Sequence, residues 1–254
     1  MKGNHKIKTL PDGRAMLNLG CGYRMHWEFN NIDSSPFVFF AKHPSVERVL
    51  RSLGFISEER HQKHLSVDPG ILNHDLRKGI PFPDSVFDVV YHSHVLEHID
   101  IDSAPVFLGE CRRVLKKNGV MRVVVPDLEG IIGRYNSTMR KIDGGDSSGL
   151  EGHLASIHEL FDMMVRFEKM VIVRNRKDRL LHGAKTMLQT GGGHRWMYDR
   201  HSLKDLLGKL GFSRIKRKDA FSSGIPGWNR FGLDVVERNK IYRPHSLYME
   251  ALKV

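Results

Sequence analysis

Short apolar runs alternate along this chain with stretches that repeat at helical spacing, the pattern of a parallel sheet whose strands are joined by crossover helices. Residues 15–19 read as a buried strand that stops at Gly20-Cys21-Gly22. Residues 29–32 predict a short second strand ending at Asp33, and 66–74 a third, with Asp75 at its C-terminal edge. Between those two, 37–65 reads as helical, with Pro44 near a helix start and Gly54 as a break. The run from Phe87 to Tyr91 is the best central strand. An amphipathic helix follows over 105–115, with Val106, Phe107, Cys111, Val114 and Leu115 turned inward. Lys116 to Gly119 are expected to close that helix with cations and a glycine cap, before a fifth strand over 120–125.

The pattern changes near Gly130. A glycine-rich loop spans 144–149, and 150–173 predicts a helix with Leu154, Ile157, Phe161 and Met164 on one side. This stretch, up to Gly191-Gly192-Gly193, reads as an insertion or lid rather than a second domain. Alternation resumes with a helix over 202–210, a strand over 213–218 and a final strand over 246–252.

Composition narrows the picture only a little. Apolar residues make up 40% and charged residues 27% of the 254, as in ordinary water-soluble domains. No stretch approaches the roughly 18–20 apolar residues of a membrane span, and the basic N-terminus lacks a secretory signal's apolar segment. Cys21 and Cys111 are too few for a disulfide framework and fit no zinc spacing. A cytoplasmic enzyme is the plain reading. The net charge of +11 favours anionic partners, or is simply a solvated basic surface. Part of it is clustered, at Arg174, Arg176, Lys177, Arg179 and Lys185 and again at Arg214, Lys216, Arg217 and Lys218. Neither cluster is interleaved with aromatics as in single-strand nucleic-acid binders, so a phosphorylated or carboxylated substrate suits them as well as RNA does.

Alone, Gly20-Cys21-Gly22 is a tight turn. It gains meaning because a strand precedes it and acidic residues end the next two strands. A nucleoside laid across the C-terminal edge of a parallel sheet needs closely approaching backbone, hence glycine, and a carboxylate for its ribose hydroxyls. Asp33 is placed for the ribose and Asp75 for the adenine end.

The segments LNLGCG, NID, HDL, PFPDSVFDVVYHSHVLEHI and ECRRVLKKNGVMRVVVPD, in that order, resemble the motifs of class I S-adenosylmethionine-dependent methyltransferases, and among them the methyltransferase type 11 group. HRWMYDRHSLKDLLGKLGF and SLYMEALK resemble the tail of the same group, in which the chain looks like bacterial members associated with glycan or surface-polysaccharide biosynthesis. The resemblance implies a Rossmann-like three-layer α/β sandwich: a cofactor-binding core over 1–129, a helical insertion over 130–193, and 194–254 completing the sheet with an antiparallel strand. It implies that Gly20, Cys21 and Gly22 line the methionine and ribose portion of the cofactor. Asp33 would hold the ribose, Asp75 and Leu76 would lie by the adenine, and His92, Ser93 and His94 near the sulfonium. Two features depart from the group. Asn18, which the resemblance counts among the cofactor-binding residues, stands where an acidic residue is usual. Gly22 and Asp33 are only eleven positions apart, too close for a full first helix plus second strand. A loop is expected there, leaving Tyr23 and Arg24 to contact the cofactor carboxylate.

His94-Val95-Leu96-Glu97-His98 poses the sharpest chemical question. In a helix, His94 and His98 would share a face with Glu97 adjacent. One reading makes a histidine the base toward an acceptor alcohol, a role its unperturbed pKa suits. A second is a divalent metal held by His94, Glu97 and His98, since the segment resembles the Glu-x-x-Glu-His of ubiquinone-type O-methyltransferases with His94 in place of the first glutamate. A third is the inverted zincin signature of a zinc hydrolase, which would leave every other motif unexplained. The fourth is packing and capping alone. His194, after the triple glycine, is another candidate base, or else part of a linker in which Asp199 caps a helix. The loop from Phe221 to Trp228 is a further candidate wall of the acceptor site. No phosphate-binding loop is present, and Met25 occupies the last glycine position of a dinucleotide fingerprint.

The resulting expectation is methyl transfer from S-adenosylmethionine to an oxygen of a sugar or glycan-related acceptor, anionic in character, with no metal required and no membrane span. RNA or another small metabolite is the alternative acceptor. A non-catalytic module that binds S-adenosylmethionine is the alternative of another class.

Overall fold

The computed structural model describes residues 5–68, 70–146, 149–164, 193–236 and 239–254. Seven strands form one sheet: β1 (Met16–Leu19), β2 (Asn30–Asp33), β3 (Leu72–Asn73), β4 (Phe87–Ser93), β5 (Leu115–Pro126), β6 (Phe212–Lys218) and β9 (Ser246–Lys253). Their order is β3-β2-β1-β4-β5-β9-β6. The first five run parallel, and β9 is inserted antiparallel to both β5 and β6. This is the mostly parallel sheet of an α/β sandwich, as the alternating pattern predicts. A two-residue pair, β7 (Val235–Val236) with β8 (Lys240–Ile241), stands apart from it.

Alternation along the strands sorts side chains onto two faces. Leu17, Leu19, Val90, Val123 and Val125 enter one core, with α4 (Ala104–Val114) and α7 (Arg200–Lys209) packed on them through Leu108, Cys111, Leu203 and Leu207. Met16, Val89, Tyr91 and Val124 enter the other, covered by Ile225, Trp228, Phe231 and Leu233. The helical stretch before β3 divides at His43 and Gly54 into α1 (Pro36–Lys42), α2 (Pro44–Ser52) and α3 (Glu58–Leu65), with Pro44 at the first position of α2 as expected. Asp199 caps α7 by a reciprocal exchange with Ser202, the structural role open to it in the sequence.

In place of a first crossover helix there is the expected loop, and side-chain amides hold it. Asn18 Nδ2 donates to the Arg24 carbonyl and to Asn31 Oδ1, each at 3.1 Å. Asn31 Nδ2 donates to the carbonyls of His26 and Phe29 at 2.9 and 3.1 Å. Carbonyls within the loop that lack a helical partner are thus satisfied by two buried amides, and Asn30 separately donates to the carbonyls of Lys8 and Met16, before and within β1. Asn18, expected to bind cofactor, is 1% exposed and spends its amide on this loop; an aspartate there has no N–H to donate.

Several elements differ from the sequence reading. The third strand shrinks to Leu72–Asn73 because α3 and a turn occupy the residues before it. Lys116 to Gly119 belong to β5, which begins directly at Leu115 and is irregular opposite Phe87 and Val89, so no glycine cap closes α4. Val106 faces outward on α4 at 71% exposure and borders a cavity instead of the core. The insertion contributes α5 (Leu128–Asp143) and α6 (Leu150–Met164), which pack through Thr138, His153 and Ser156. Leu154 and Phe161 are exposed, so the apolar side assigned to this helix does not face α5. The rest of the insertion, with Gly191, Gly192 and the basic cluster from Arg174 to Lys185, lies outside the described residues. The second basic cluster, from Arg214 to Lys218, is the edge strand β6. Cations on a sheet edge discourage pairing with another strand, and Arg217 also pairs with Asp127 at 3.1 Å.

Arg122 of β5 has no solvent exposure. Its guanidinium donates to Asp234 at 2.8 Å, Glu250 at 2.7 Å and the Asp219 carbonyl at 2.8 Å. Asp234 also accepts from Tyr91 Oη at 2.7 Å and Trp228 Nε1 at 2.6 Å. The Phe221–Trp228 loop, a candidate acceptor wall in the sequence, is tied to the core through Ile225 and Trp228, while Phe221 is 47% exposed. Its Gly224 amide donates to Glu250 at 2.8 Å, and Trp228 is buried.

Candidate active site

The parallel strands end together, and the turns that leave them meet there. Gly20 leaves β1 with φ +62°, and a Cβ at this position would collide with Val95 Cγ2. Gly22 follows at φ +52° with open space where its side chain would be. Both need glycine, Gly20 for contact with the loop after β4 and Gly22 for its backbone angle. Gly20→Ala should therefore lower the melting temperature and weaken nucleoside binding together. Adding Val95→Ala should recover part of the stability, leaving the left-handed strain of about 1–2 kcal/mol. Thermal melts of the two variants test this, and an unperturbed single variant would contradict it.

Asp33, at the end of β2, is 7% exposed. Its Oδ2 accepts from the Gly22 amide at 2.7 Å and its Oδ1 from the Ser35 amide. The carboxylate is thus fixed in orientation between the glycine turn and the start of α1. Asp33, Gly20, Asp75 and Leu76 border a cavity of about 680 Å³, with Val95, Ile99, Val106 and Phe107 as its apolar wall. Asp75 caps the short turn at Leu76–Lys78 and is gripped by Arg77 at 2.8–3.1 Å, which holds its carboxyl below the usual carboxylate range. An acidic group at one end and an apolar slot beside it suit a ribose joined to a base.

Behind the glycine turn, Gly22, Cys21, Tyr23, Arg24 and Ser93 border a smaller cavity of about 90 Å³. The Cys21 thiol is buried, which pushes its pKa well up. Arg24 lies over the Tyr242 ring at 4.8 Å and donates to the Gly232 carbonyl. Arg243 lies 5.0 Å from that ring's centre. Tyr242 is pushed up to about 12 by burial, with its contact to Tyr23 adding to the effect. Tyr242 and Arg243 escaped the sequence reading because nothing local marks them; they reach this wall only through β9, which follows them.

His92 does not reach any of this space. It is 0% exposed, edge-on to Phe107 at 5.3 Å, and burial pushes it down to about 4, so it is a neutral core residue. The inward alternation of β4 places it beneath the surface that Ser93 and His94 reach.

His94 has φ +54°, so the chain turns sharply there and Leu96–His98 forms a single tight turn. The expected one-faced helix is absent, yet the side chains converge. Glu97 is 0% exposed; His94 Nδ1 lies 3.1 Å and His98 Nε2 4.0 Å from its Oε1. Burial pulls the Glu97 carboxyl upward, but the two imidazoles outweigh it and hold the group below its ordinary range. His94 Nε2 meets Ser246 Oγ at 2.9 Å. The Glu97 carbonyl accepts from the amides of Arg195 and Trp196 at 2.7 and 3.3 Å, and Arg195 clamps Asp100 at 2.7–2.8 Å. These bonds dock the residues after the triple glycine against the turn, so the His194 ring packs edge-on to His98 at 5.0 Å. His94, His98 and His194 thus meet, although 96 positions separate His98 from His194. All three border a cavity of about 790 Å³ that shares Gly20, Asp33, Val95 and His98 with the first one and is flanked by Lys63 and Arg243.

Residues 44–123 match the family model described as a methyltransferase domain. The matched stretch runs from α2 into β5 and holds Asp75, Glu97 and His98; it covers less than half of the chain, and the glycine turn and Asp33 precede it. A search of the curated proteins finds no match. Among solved structures, the chain is similar to a SAM-dependent methyltransferase from Archaeoglobus fulgidus, at 15% identity, TM-score 0.39, with 94% of this chain and 86% of that one covered. It is also similar to a SAM-dependent methyltransferase from Thermotoga maritima, described as a possible histamine N-methyltransferase, at 17% identity, TM-score 0.44, with 96% and 84% covered.

Proposed function

We propose that this chain is an S-adenosylmethionine-dependent methyltransferase acting on a hydroxyl of an anionic sugar or glycan-related acceptor. The observation that carries the cofactor is the Asp33 carboxylate, oriented by the Gly22 and Ser35 amides at the mouth of a cavity with an apolar slot. The methyl group is already activated by its positive sulfur, so the protein's main task is alignment, which supplies several kcal/mol of the barrier. Bound at Asp33, the cofactor would supply an electrophilic methyl group to the acceptor oxygen and leave with its sulfur's electron pair, and an imidazole of the His94, His98 and His194 group would take the acceptor's proton. Lys63 and Arg243 at the rim of the larger cavity, together with the net charge of +11, support an anionic acceptor. That charge is also the one observation favouring RNA.

Calorimetric titration of the metal-stripped protein with S-adenosylmethionine and S-adenosylhomocysteine tests the cofactor reading. Micromolar binding is expected, and Asp33→Ala should weaken it by about 1.5–3 kcal/mol, the cost of losing a charged hydrogen-bond partner. Unchanged affinity in a folded Asp33→Ala protein removes the ribose assignment; no binding to either nucleoside removes the whole reading. Turnover on nucleotide-sugars, against salt-sensitive binding of RNA, separates the two acceptor classes.

A further inference from the structure

The same turn carries a second chemistry that methyl transfer does not demand. Both carboxylate oxygens of Glu97 are buried: Oε1 faces His94 Nδ1 at 3.1 Å, and Oε2 has no hydrogen-bond partner among the described residues. A carboxylate so enclosed is costly unless a positive charge lies against it. His94 supplies one neighbour, but it is committed elsewhere as well, with its Nε2 at Ser246 and its Nδ1 toward Glu97. On the other side, one ligand atom each from Glu97, His98 and His194 fall within 4.8 Å of one another. His194 has its Nδ1 at the Met163 carbonyl. A carbonyl there fixes the tautomer in which Nε2 carries the lone pair, the usual arrangement behind a metal-binding imidazole. Two imidazoles and one carboxylate are the ligand set of an open catalytic zinc site, with bonds of about 2.0–2.2 Å. Modest rotations of His98 and His194 would close the three onto one ion.

We propose that Glu97, His98 and His194 bind a divalent transition cation of the zinc class, its open positions facing the larger cavity. The sequence-local trio of His94, Glu97 and His98 is not the set, because His94 holds Glu97 from behind. Cation binding needs only these residues. Its use, to bind an acceptor hydroxyl and make its proton easier to lose, rests on the methyl-transfer reading; with the cation seated, His98 and His194 act through it rather than as free bases.

The test titrates metal-stripped full chain with Co²⁺ and Zn²⁺, reading the visible absorption of bound cobalt, while S-adenosylhomocysteine affinity is measured on the same samples. One equivalent should bind, and zinc should raise the melting temperature. Glu97→Gln, His98→Gln and His194→Ala should each weaken uptake at least about tenfold, whereas His153→Ala should leave it unchanged. No cobalt uptake by the unmodified protein, or uptake indifferent to all three substitutions, overturns the site. Should Glu97→Gln fail to fold, His98→Gln and His194→Ala decide the matter on their own. Nucleoside binding without cobalt uptake sinks the metal and spares the methyltransferase reading; the reverse result sinks the methyltransferase reading and spares the metal.

Discussion

Alanine in place of His194 or His98 is expected to lower turnover by about 10²–10⁴-fold, the range over which a positioned proton acceptor contributes, while S-adenosylhomocysteine affinity stays within about twofold. The split between the two readouts follows from position. His194 borders only the larger chamber and not the cavity walled by Asp75 and Leu76, whereas His98 borders both, so the split is expected to be cleanest for His194. The two losses should also be far from additive, because the rings pack on each other at 5.0 Å and share Glu97 as neighbour. Steady-state rates on a turned-over acceptor, with nucleoside titrations alongside, make the check. Folded variants that keep full turnover would mean that alignment alone drives the reaction and the cluster serves another purpose.

Arg122→Ala should destabilise the protein by about 3–5 kcal/mol, the cost of removing one partner from a buried ionic group. The arginine is 0% exposed and neutralises Asp234 and Glu250 together, and truncation would strand two carboxylates in the core. Arg122→Met with Asp234→Asn and Glu250→Gln should lose much less, since no uncompensated charge remains. Denaturant midpoints of the single and triple variants test this; a single variant within about 1 kcal/mol of the parent would show that water reaches the site.

Much of the sheet was legible because each strand is an apolar run and each ends in a turn residue with a reason to be there. The positions of Gly20, Asp33 and Asp75 follow from that alone, whereas the loop in place of a first helix follows from the short spacing between Gly22 and Asp33. What stayed hidden was set by partners distant in sequence. His92 looked like its neighbours Ser93 and His94, and only the alternation of β4 against Phe107 turns it inward. Asn18 stands where an acid is usual, and only the structure shows that its amide holds the carbonyl of Arg24 while the residue borders the small cavity behind the glycine turn. Lys116 to Gly119 had the composition of a helix end, and pairing with β4 draws them into a strand. Tyr242 and Arg243 carry no motif and enter the site through a strand paired with β5. His98 and His194 were each visible as candidates; that they form one cluster depended on the Glu97 carbonyl, which no sequence pattern exposes.

The insertion of β9 between β5 and β6 also sets an order of events during synthesis. The five parallel strands can pair as they emerge from the ribosome, each beside one already made. β6 cannot: its hydrogen-bonding partner is β9, whose first residue lies 28 positions after the end of β6. Until β9 arrives, β6 has no neighbour, Arg122 lacks Glu250, and Arg24 faces no anchored Tyr242. A nascent chain at that stage would hold the proposed nucleoside site half walled, so binding competence should appear late and abruptly, once β9 has paired.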